Sequence, residues 1–348
     1  MSLREELVRR FPALTELPGD SYVVGGAVRD LLLGIEPIDV DIACRDPLAA
    51  AKRVGERVIR LGAVEHLSAY RVVAGQQVYD FAAILDDDIA ADLARRDFTV
   101  NAMAVRLDSG QLLDPHGGQR DIAGRVVRMV EESNFDDDPL RCLKAVRMAV
   151  RYGFAIDEAT VQAIRTRAPL IEKIAAERVT YELSVIFSSA RFREAIELLR
   201  QTGLDRPLFG RDLPTFSADD VPPAAAYALL VENPKTYAKR WRWSSDLLRE
   251  VTALQHLIGE HGPIALYDAG EGVARQLPPV LRALGRSDAV EMPDFAARSL
   301  LTGEEIARLT GLPEGPQLGQ AKRALLEAQI RGEVKTRDQA ERWVLREG

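Results

Sequence analysis

The sequence predicts an α/β (α+β) amino-terminal domain built on a five-stranded sheet, followed by an all-helical remainder. Two observations lead to this prediction. Up to about residue 130, short runs rich in β-branched residues lie between turn signals. From Asp138 onward, apolar residues recur with the helical period. The expected strands lie within SYVVGG, PIDVDIAC, HLSAYRVVAG, QVYDFAAIL, TVNAMAVRL and GRVVRMV.

Composition restricts the class of protein. The chain has 348 residues, of which 47% are hydrophobic and 28% charged, as in an ordinary globular protein. No apolar run approaches the roughly 20 residues that span a bilayer, and the start MSLREELVRRFPAL lacks the features of a signal peptide. We therefore expect a cytoplasmic protein with no membrane partner. The net charge of -7 does not exclude RNA binding, because phosphate contacts depend on local clusters of Lys and Arg.

Cysteine and histidine usage argues against two kinds of site. Cys44 and Cys142 lie far apart and outside any CxxC pattern, so neither a disulfide framework nor a structural zinc site is expected. We expect both to be small buried residues. The four histidines show no metal-ligand spacing.

The segment YVVGGAVRDLLLG (22–34) is typical of a strand, a glycine turn and a helix. Gly25 and Gly26 permit close backbone approach, and free N–H groups at a helix start favour an anion. Arg29 in the first turn adds a charge-assisted donor. A triphosphate could bind here, although a Gly-Gly turn before a helix is more often only structural. No P-loop and no GxGxxG motif accounts for this turn.

The run PIDVDIA (37–43) alternates apolar and acidic residues. As a strand it buries Ile38, Val40 and Ile42 on one face and presents Asp39 and Asp41 on the other. Two adjacent carboxylates can hold Mg²⁺ together with substrate phosphates, as nucleotidyl transfer requires. The alternative is an edge strand with both carboxylates in solvent. A third carboxylate is predicted in QVYDFAAI, at Asp80.

Two further segments carry candidate binding groups. Arg96 and Asp97 in DLARRDF, with Asn101 in the apolar run VNAMAV, could bind ribose hydroxyls and phosphate. They could equally form a solvated ion-pair cluster. In DDDPLRCLKAVRMAVRYGF, Asp138 is the expected helix N-cap, with Pro139 at the first helical position. The apolar face of this helix comprises Leu140, Leu143, Val146 and Val150, and its basic stripe comprises Arg141, Lys144, Arg147 and Arg151. This stripe is either solvated surface or part of a site in which Asp138 and Arg141 match the edge of a base.

Together these segments resemble the class II tRNA nucleotidyltransferases, which build the CCA end of tRNA and are related to bacterial poly(A) polymerases. The resemblance rests on GGAVRD, DVDIA, RRDFTVNAMA, DPHGG and DPLRCLKAVRMAVRYGF, in this order. It implies a nucleotidyltransferase head over residues 1–130, a helical neck over 131–210 that recognises the base, and a helical body and tail over 211–348 that bind tRNA. It also implies roles for individual residues: Gly26 and Arg29 on the triphosphate, Asp39 and Asp41 on Mg²⁺, Arg96 and Asp97 near ribose and phosphates, Asp138 and Arg141 on the base, and Lys144 and Arg147 on phosphates.

Two departures from the family pattern bear on specificity. The usual Glu-Asp-x-x-Arg is here Asp137 to Arg141, and Lys144 replaces the usual Arg; both changes keep the charge. Only eleven residues separate Asp80 from Asp92, where CCA-adding members usually carry a longer loop. The chain therefore resembles the CC-adding branch, whose partners are the tRNA 3′ end, CTP and a separate A-adding enzyme. The alternatives are a full CCA-adding enzyme using CTP and ATP, a poly(A) polymerase, and a non-catalytic RNA-binding module.

Overall fold

The chain forms two compact units. In the computed structural model, residues 2–61, 69–84 and 88–347 are described. The first unit comprises residues 1–186 and 197–212, and the second comprises residues 187–196 and 213–348. The division into head, neck and body with tail at residues 130 and 210 stays a prediction.

A seven-stranded sheet forms the centre of the first unit, with the order β3-β4-β5-β2-β1-β6-β7. Its strands are β1 (Tyr22–Val24), β2 (Asp39–Cys44), β3 (Val58–Leu61), β4 (Ala69–Ala74), β5 (Gln77–Ala83), β6 (Ala104–Arg106) and β7 (Leu112–Leu113). Strands β2 and β5 pair in parallel, whereas the other neighbours pair antiparallel. The mixed α/β class is confirmed, but the sheet has two more strands than the five expected.

The differences from the expected strands have local reasons. Strand β3 carries an exposed Ile59 and an exposed Arg60, and β7 is only two residues long, so neither shows a buried-strand pattern. Within TVNAMAVRL the residues Thr99–Asn101 form a 3₁₀ helix, and the strand begins only at Ala104. The start of the expected strand HLSAYRVVAG, at 66–68, lies outside the described residues.

One short strand pair was not expected in this form. The run GRVVRMV supplies β8 (Val126–Val127), which pairs in parallel with β9 (Ala155–Ile156) in a separate two-stranded sheet. The remainder after Asp138 is therefore not entirely helical. This pairing lies beside the helix that carries the predicted base-reading residues, because β9 follows two residues after that helix ends.

Eleven helices lie along the chain up to residue 209 in the described ranges. They are α1 (Leu3–Arg10), α2 (Gly26–Leu32), α3 (Pro47–Val54), α4 (Ile89–Ala94), α5 (Gly118–Gly124), α6 (Asn134–Asp137), α7 (Leu140–Tyr152), α8 (Glu158–Arg167), α9 (Ala176–Phe187), α10 (Phe192–Gln201) and α11 (Asp205–Phe209), with 3₁₀ turns at Pro12–Glu16 and Ala168–Lys173. The predicted apolar face of α7 is confirmed: Leu140, Leu143, Val146 and Val150 are all buried. Gly153 ends α7 in the left-handed region, with φ +67°.

The second unit consists of helices in its described part. They are α12 (Pro223–Leu230), α13 (Pro234–Trp241), α14 (Ser245–Gly259), α15 (Pro263–Ala269), α16 (Glu271–Ala274), α17 (Leu277–Ala283), α18 (Gly303–Thr310), α19 (Pro316–Ile330) and α20 (Arg337–Glu347). The last three pack around a small core that includes Ile306, Leu325 and Val344. No helix in the described ranges has both the length and the apolarity to cross a bilayer.

The cysteine expectation is confirmed. Cys44 and Cys142 are both buried and both free. Burial raises the pKa of each thiol to about 12, because the thiolate would lose its hydration. Neither residue is therefore a nucleophile at neutral pH.

Candidate active site

Strand β2 presents two carboxylates on one face. Val40 and Ile42 are buried in the core, and Asp39 and Asp41 project to the opposite, solvent-facing side, as the period of two predicts. Ile38, expected on the buried face, is instead 72% exposed, because it precedes the first paired residue of the strand. The predicted pair of carboxylates is thus on one face, next to water.

The third carboxylate, Asp80, lies beside this pair. Strands β2 and β5 align Asp41 directly with Asp80, and β4 aligns Arg71 with Asp80 on its other side. Arg71 donates from Nε to Oδ1 at 2.7 Å and from Nη2 to Oδ2 at 2.6 Å, a bidentate pair. A row of Arg71, Asp80 and Asp41 therefore crosses three strands, with the charge of Asp80 balanced by the arginine.

The environment of Asp41 disfavours its charged form. Loss of hydration is the largest cause and, with repulsion from Asp39 and Asp80, raises the pKa of Asp41 to about 6, against the opposing attraction of Arg96. Asp41 is nevertheless exposed, so its carboxylate is crowded by protein atoms but not closed off from water. A bound cation would remove this cost.

The donor set suits a divalent ion that substrate oxygens also bind. Among the described residues, no group of three or more His, Cys, Asp or Glu side chains is arranged to hold a metal. Asp39 and Asp41 alone fit Mg²⁺, which typically takes one or two carboxylates and completes its shell with water and phosphate oxygens. Asp80, held by Arg71, is next to this pair but not free to join it in this arrangement.

The glycine turn places backbone against the pocket. Gly25 has φ +73° and ψ -126°, a conformation that side chains with Cβ strongly disfavour. A Cβ added to Gly25 would lie 2.7 Å from Nη1 of Arg96 and 3.6 Å from Oδ2 of Asp41. Gly26 begins α2, and a Cβ there would meet only the Nη atoms of Arg29, at an ordinary 3.5 and 4.0 Å. The close approach of the backbone to Arg96 and Asp41 therefore depends on Gly25 and not on Gly26.

Arg29 is buried and its donors are used within the protein. Its Nε and Nη2 donate to Oδ1 of Asp30 at 2.9 and 2.7 Å, Nη2 also donates to the Tyr152 hydroxyl, and Nη1 donates to Oδ1 of Asn101. Asn101 in turn donates from Nδ2 to Oδ1 of Asp97 at 2.9 Å. Through these bonds the Arg29 guanidinium orients Asn101 and, through it, Asp97. The predicted contact of Arg29 with a triphosphate stays a prediction.

Arg96 is the cation that acts most strongly on Asp41. One of its nitrogens, Nη2, lies 3.2 Å from Oδ2 of Asp92, but its buried Nε has no hydrogen-bond partner in the part of the chain that the structure describes. The guanidinium lies against the Gly25 turn and lowers the pKa of Asp41. A guanidinium beside an acidic pair, at the wall of a pocket, is suited to an anionic oxygen such as that of a phosphate.

A pocket of about 380 Å³ opens beside Arg96. Four other predicted site residues line it: Asp97, Asp138, Arg141 and Lys144. The remaining lining residues are Ala83, Asp92 and Arg95. The head segment and the start of α7, distant in sequence, therefore contribute to one pocket, whereas Arg147 does not line it.

The start of α7 fixes the two predicted base-reading residues. Pro139, just before α7, already has helical backbone angles, whereas Asp138 is extended and its Oδ1 accepts the Leu140 N–H at 3.3 Å, as the predicted N-cap would. Oδ2 of Asp138 accepts from Nη2 of Arg178 at 2.9 Å, and Nη1 of Arg141 donates to the Arg95 carbonyl at 2.8 Å. Both side chains face the pocket with some of their hydrogen-bonding groups in use.

Several supporting residues were not identified from the sequence. Asn134, 4% exposed, donates from Nδ2 to the carbonyls of Ala94 and Arg96 at 2.9 and 2.8 Å, which holds the RRD loop in place. Nε of Arg147 lies 2.9 Å from Oε2 of the buried Glu182, an ion pair without a well-aligned hydrogen bond. Asn134 could have been noticed in the sequence as an amide preceding Phe135. The partners of Asp138 and Arg147 on α9 are about 40 residues away, and no local sequence pattern indicates them.

Comparison with known proteins agrees with this geometry. Residues 21–84 and 66–128 match the model described as the poly(A) polymerase head domain, and residues 153–218 match that of the "probable RNA and SrmB-binding site of polymerase A". A CCA-adding enzyme of Streptococcus pyogenes serotype M4 is 29% identical over 92% of this chain and 91% of its own length.

Solved structures show the same fold. The Bacillus stearothermophilus CCA-adding enzyme in complex with CTP is 25% identical and aligns with a TM-score of 0.76 over 100% of this chain and 98% of its own. The Thermotoga maritima CCA-adding enzyme complexed with tRNA, at 23% identity, aligns with a TM-score of 0.77 over 100% and 98% of the two chains. The head-domain match, the relatives that span nearly the whole chain and the shared fold agree with the resemblance to the class II tRNA nucleotidyltransferases and show that this protein is an enzyme, a tRNA nucleotidyltransferase.

Proposed function

We propose that the enzyme adds CMP residues from CTP to the 3′ end of tRNA without a template, as part of CCA-end maturation. The observation that carries this proposal is the position of Arg96. Its guanidinium lies against the Gly25 turn, acts on the Asp41 carboxylate and lines the pocket that Asp138 and Arg141 also line. The proposal assigns phosphate binding to Arg96, metal binding to Asp41 beside it and base recognition to Asp138 and Arg141 on the wall of the same pocket as Arg96, as nucleotidyl transfer requires.

Different residues of the site bind the metal, the phosphates and the ribose. Asp39 and Asp41 would hold Mg²⁺, which when bound lowers the pKa of the terminal ribose hydroxyl and neutralises charge on the departing pyrophosphate. Arg96 and Lys144 bind phosphate oxygens, because both line the pocket and both carry a positive charge. Asp97, oriented by Asn101, accepts from ribose hydroxyls.

Base recognition falls to the start of α7. Asp138 offers an acceptor and Arg141 a forked donor on the same pocket wall, a combination that can match the hydrogen-bonding edge of a base. The Arg178 and Arg95 contacts fix both side chains before substrate arrives, which reduces the entropy lost on binding. Residues 131–210 would thus serve as the neck, and residues 211–348 as the tRNA-binding body and tail.

Two candidate reactions, CC addition and full CCA addition, differ in the final nucleotide of the product. The short connection of eleven residues between Asp80 and Asp92 supports addition of CC only, after which a separate enzyme adds A. Within that connection, residues 85–87 lie outside the described residues. The second candidate is full CCA addition with CTP and ATP, which the names of the relatives favour.

The test is incubation with tRNA lacking CCA and labelled CTP alone, ATP alone or both, followed by sequencing of the products. We expect products that end in CC even when ATP is present; products ending in CCA would establish the second candidate. Long A-tails on other RNAs would instead indicate a poly(A) polymerase. Asp39→Ala and Asp41→Ala should each lower incorporation by roughly 100- to 1,000-fold or more, whereas Asp212→Ala, at an exposed carboxylate paired with Arg206, should not. Unchanged incorporation in both active-site variants would contradict the mechanism.

A further inference from the structure

A second pocket, of about 350 Å³, adjoins the first one within the first unit. It lies between α7 and α9 and is lined by Leu140, Lys144, Glu177, Arg178, Tyr181 and Glu182. Lys144 lines both pockets, and Arg178 forms the ion pair with Asp138 of the first pocket. The two pockets are therefore neighbours that share a wall.

Tyr181 is the unusual member of this wall. Its side chain is 64% exposed, although an aromatic ring of this size is normally covered by other apolar groups. It lies one helical turn from Arg178 on α9, so the ring and this cation share one face of the helix. An exposed ring beside cations is the arrangement on which proteins stack the bases of single-stranded nucleic acid.

The charges of the second pocket leave one cation available. Arg178 is paired with Asp138, and Glu182 is paired with Arg147. Lys144 forms no ion pair within 4.0 Å among the described side chains, and its charge acts on the buried Glu182. An ammonium group between two pockets is placed to contact a phosphate entering from either side.

We propose that the second pocket binds the 3′-terminal nucleoside of the acceptor RNA, with its base stacked on Tyr181 and its phosphate near Lys144. This inference rests on the proposed function. Nucleotidyl transfer needs the acceptor ribose next to the bound nucleotide, and a pocket that shares Lys144 with the nucleotide pocket meets this need. The similar volumes of the two pockets suit one nucleoside in each.

The first experiment uses an acceptor RNA whose 3′-terminal base is 2-aminopurine, a base whose fluorescence falls when it stacks. We expect quenching on binding to the wild-type enzyme and to Tyr181→Phe, which keeps the ring, but not to Tyr181→Ala. In steady-state assays with CTP, Tyr181→Ala should raise the KM for RNA about 5- to 100-fold, the range of one lost base–aromatic stack. The KM for CTP should stay within about twofold of wild type, because Tyr181 does not line the first pocket.

The two assays separate this inference from the proposed function. Quenching needs no turnover, so it is also measured in Asp41→Ala, where we expect it to persist. Quenching that depends on Tyr181 without incorporation of any nucleotide would contradict the proposed function alone. Incorporation together with equal quenching in Tyr181→Ala, or a raised KM for CTP in place of RNA, would overturn the second-pocket assignment. Because Tyr181 is exposed, both variants should fold, and a circular dichroism melt checks this.

Discussion

The substitution Gly25→Ala tests the closest backbone approach in the site. Gly25 has φ +73°, and an added Cβ would lie 2.7 Å from Nη1 of Arg96, closer than real Cβ contacts come. The substitution therefore strains the backbone and also pushes the Arg96 guanidinium out of its position. We expect both a loss of stability and a loss of phosphate binding.

A matched control separates these two effects. Gly34 also has a positive φ, of +71°, but a Cβ there would meet nothing within 4 Å. Gly34→Ala should cost about 1 kcal/mol of backbone strain, or about 2–4 °C in Tm, with unchanged activity. Gly25→Ala should cost about 1–3 kcal/mol, because its backbone conformation is less accessible to alanine. Since Arg96 must move by the order of 1 Å, kcat/KM for CTP should also fall about 100-fold.

The assay is CTP incorporation into tRNA lacking CCA, at a temperature at which both variants are folded, with urea unfolding measured in parallel. Gly26→Ala serves as a second comparison, because its Cβ would make only an ordinary contact with Arg29. If Gly25→Ala kept wild-type kcat/KM, or if Gly34→Ala lost as much activity, the close approach of Arg96 to the turn would not be part of the site.

Three further substitutions follow from the contacts described. In a chelating buffer, Asp41→Asn should stabilise the fold at pH 8 by roughly 1 kcal/mol, discounted for the exposure of this carboxylate. The folded pKa of about 6 lies above the unfolded value of 3.8, so the gain should fade as the pH falls through 6, and an equal gain at pH 4 would contradict this reasoning. Asn134→Ala leaves two loop carbonyls unpaired and should cost about 1–3 kcal/mol by urea unfolding and raise the KM for CTP; an unchanged KM would show that the loop is held otherwise. Gly118→Ala would drive a Cβ into the Thr99 carbonyl oxygen and should lower Tm, whereas Gly124→Ala, whose Cβ would lie 3.7 Å from Val126, should not; equal Tm values would refute the close packing.

Local patterns in the sequence were sufficient to predict side-chain positions that are determined by a single strand or helix. The alternation in DVDIA placed Asp39 and Asp41 on one face because the side-chain period of a strand is two. The period of α7 likewise identified its buried face. The prediction that Ile38 is buried was wrong, because alternation is informative only where the strand is paired, and pairing begins at Asp39.

Contacts between distant segments could not be read in this way. The alignment of Asp80 with Arg71 depends on strand register, which no single strand determines. Arg29 was assigned to phosphate from its place in the first turn, but its environment depends on Tyr152, more than 120 residues away. The partners of Asp138 and Arg147 on α9 were missed for the same reason.

The Arg71–Asp80 pair also bears on how the protein exists between catalytic cycles. Three carboxylates on neighbouring strand positions would repel one another strongly, but the guanidinium supplies an internal counter-ion for one of them. We therefore expect the sheet to assemble without a metal, unlike small zinc domains, which unfold when their ion is removed. We expect chelation to stop catalysis while leaving a folded protein ready for reloading.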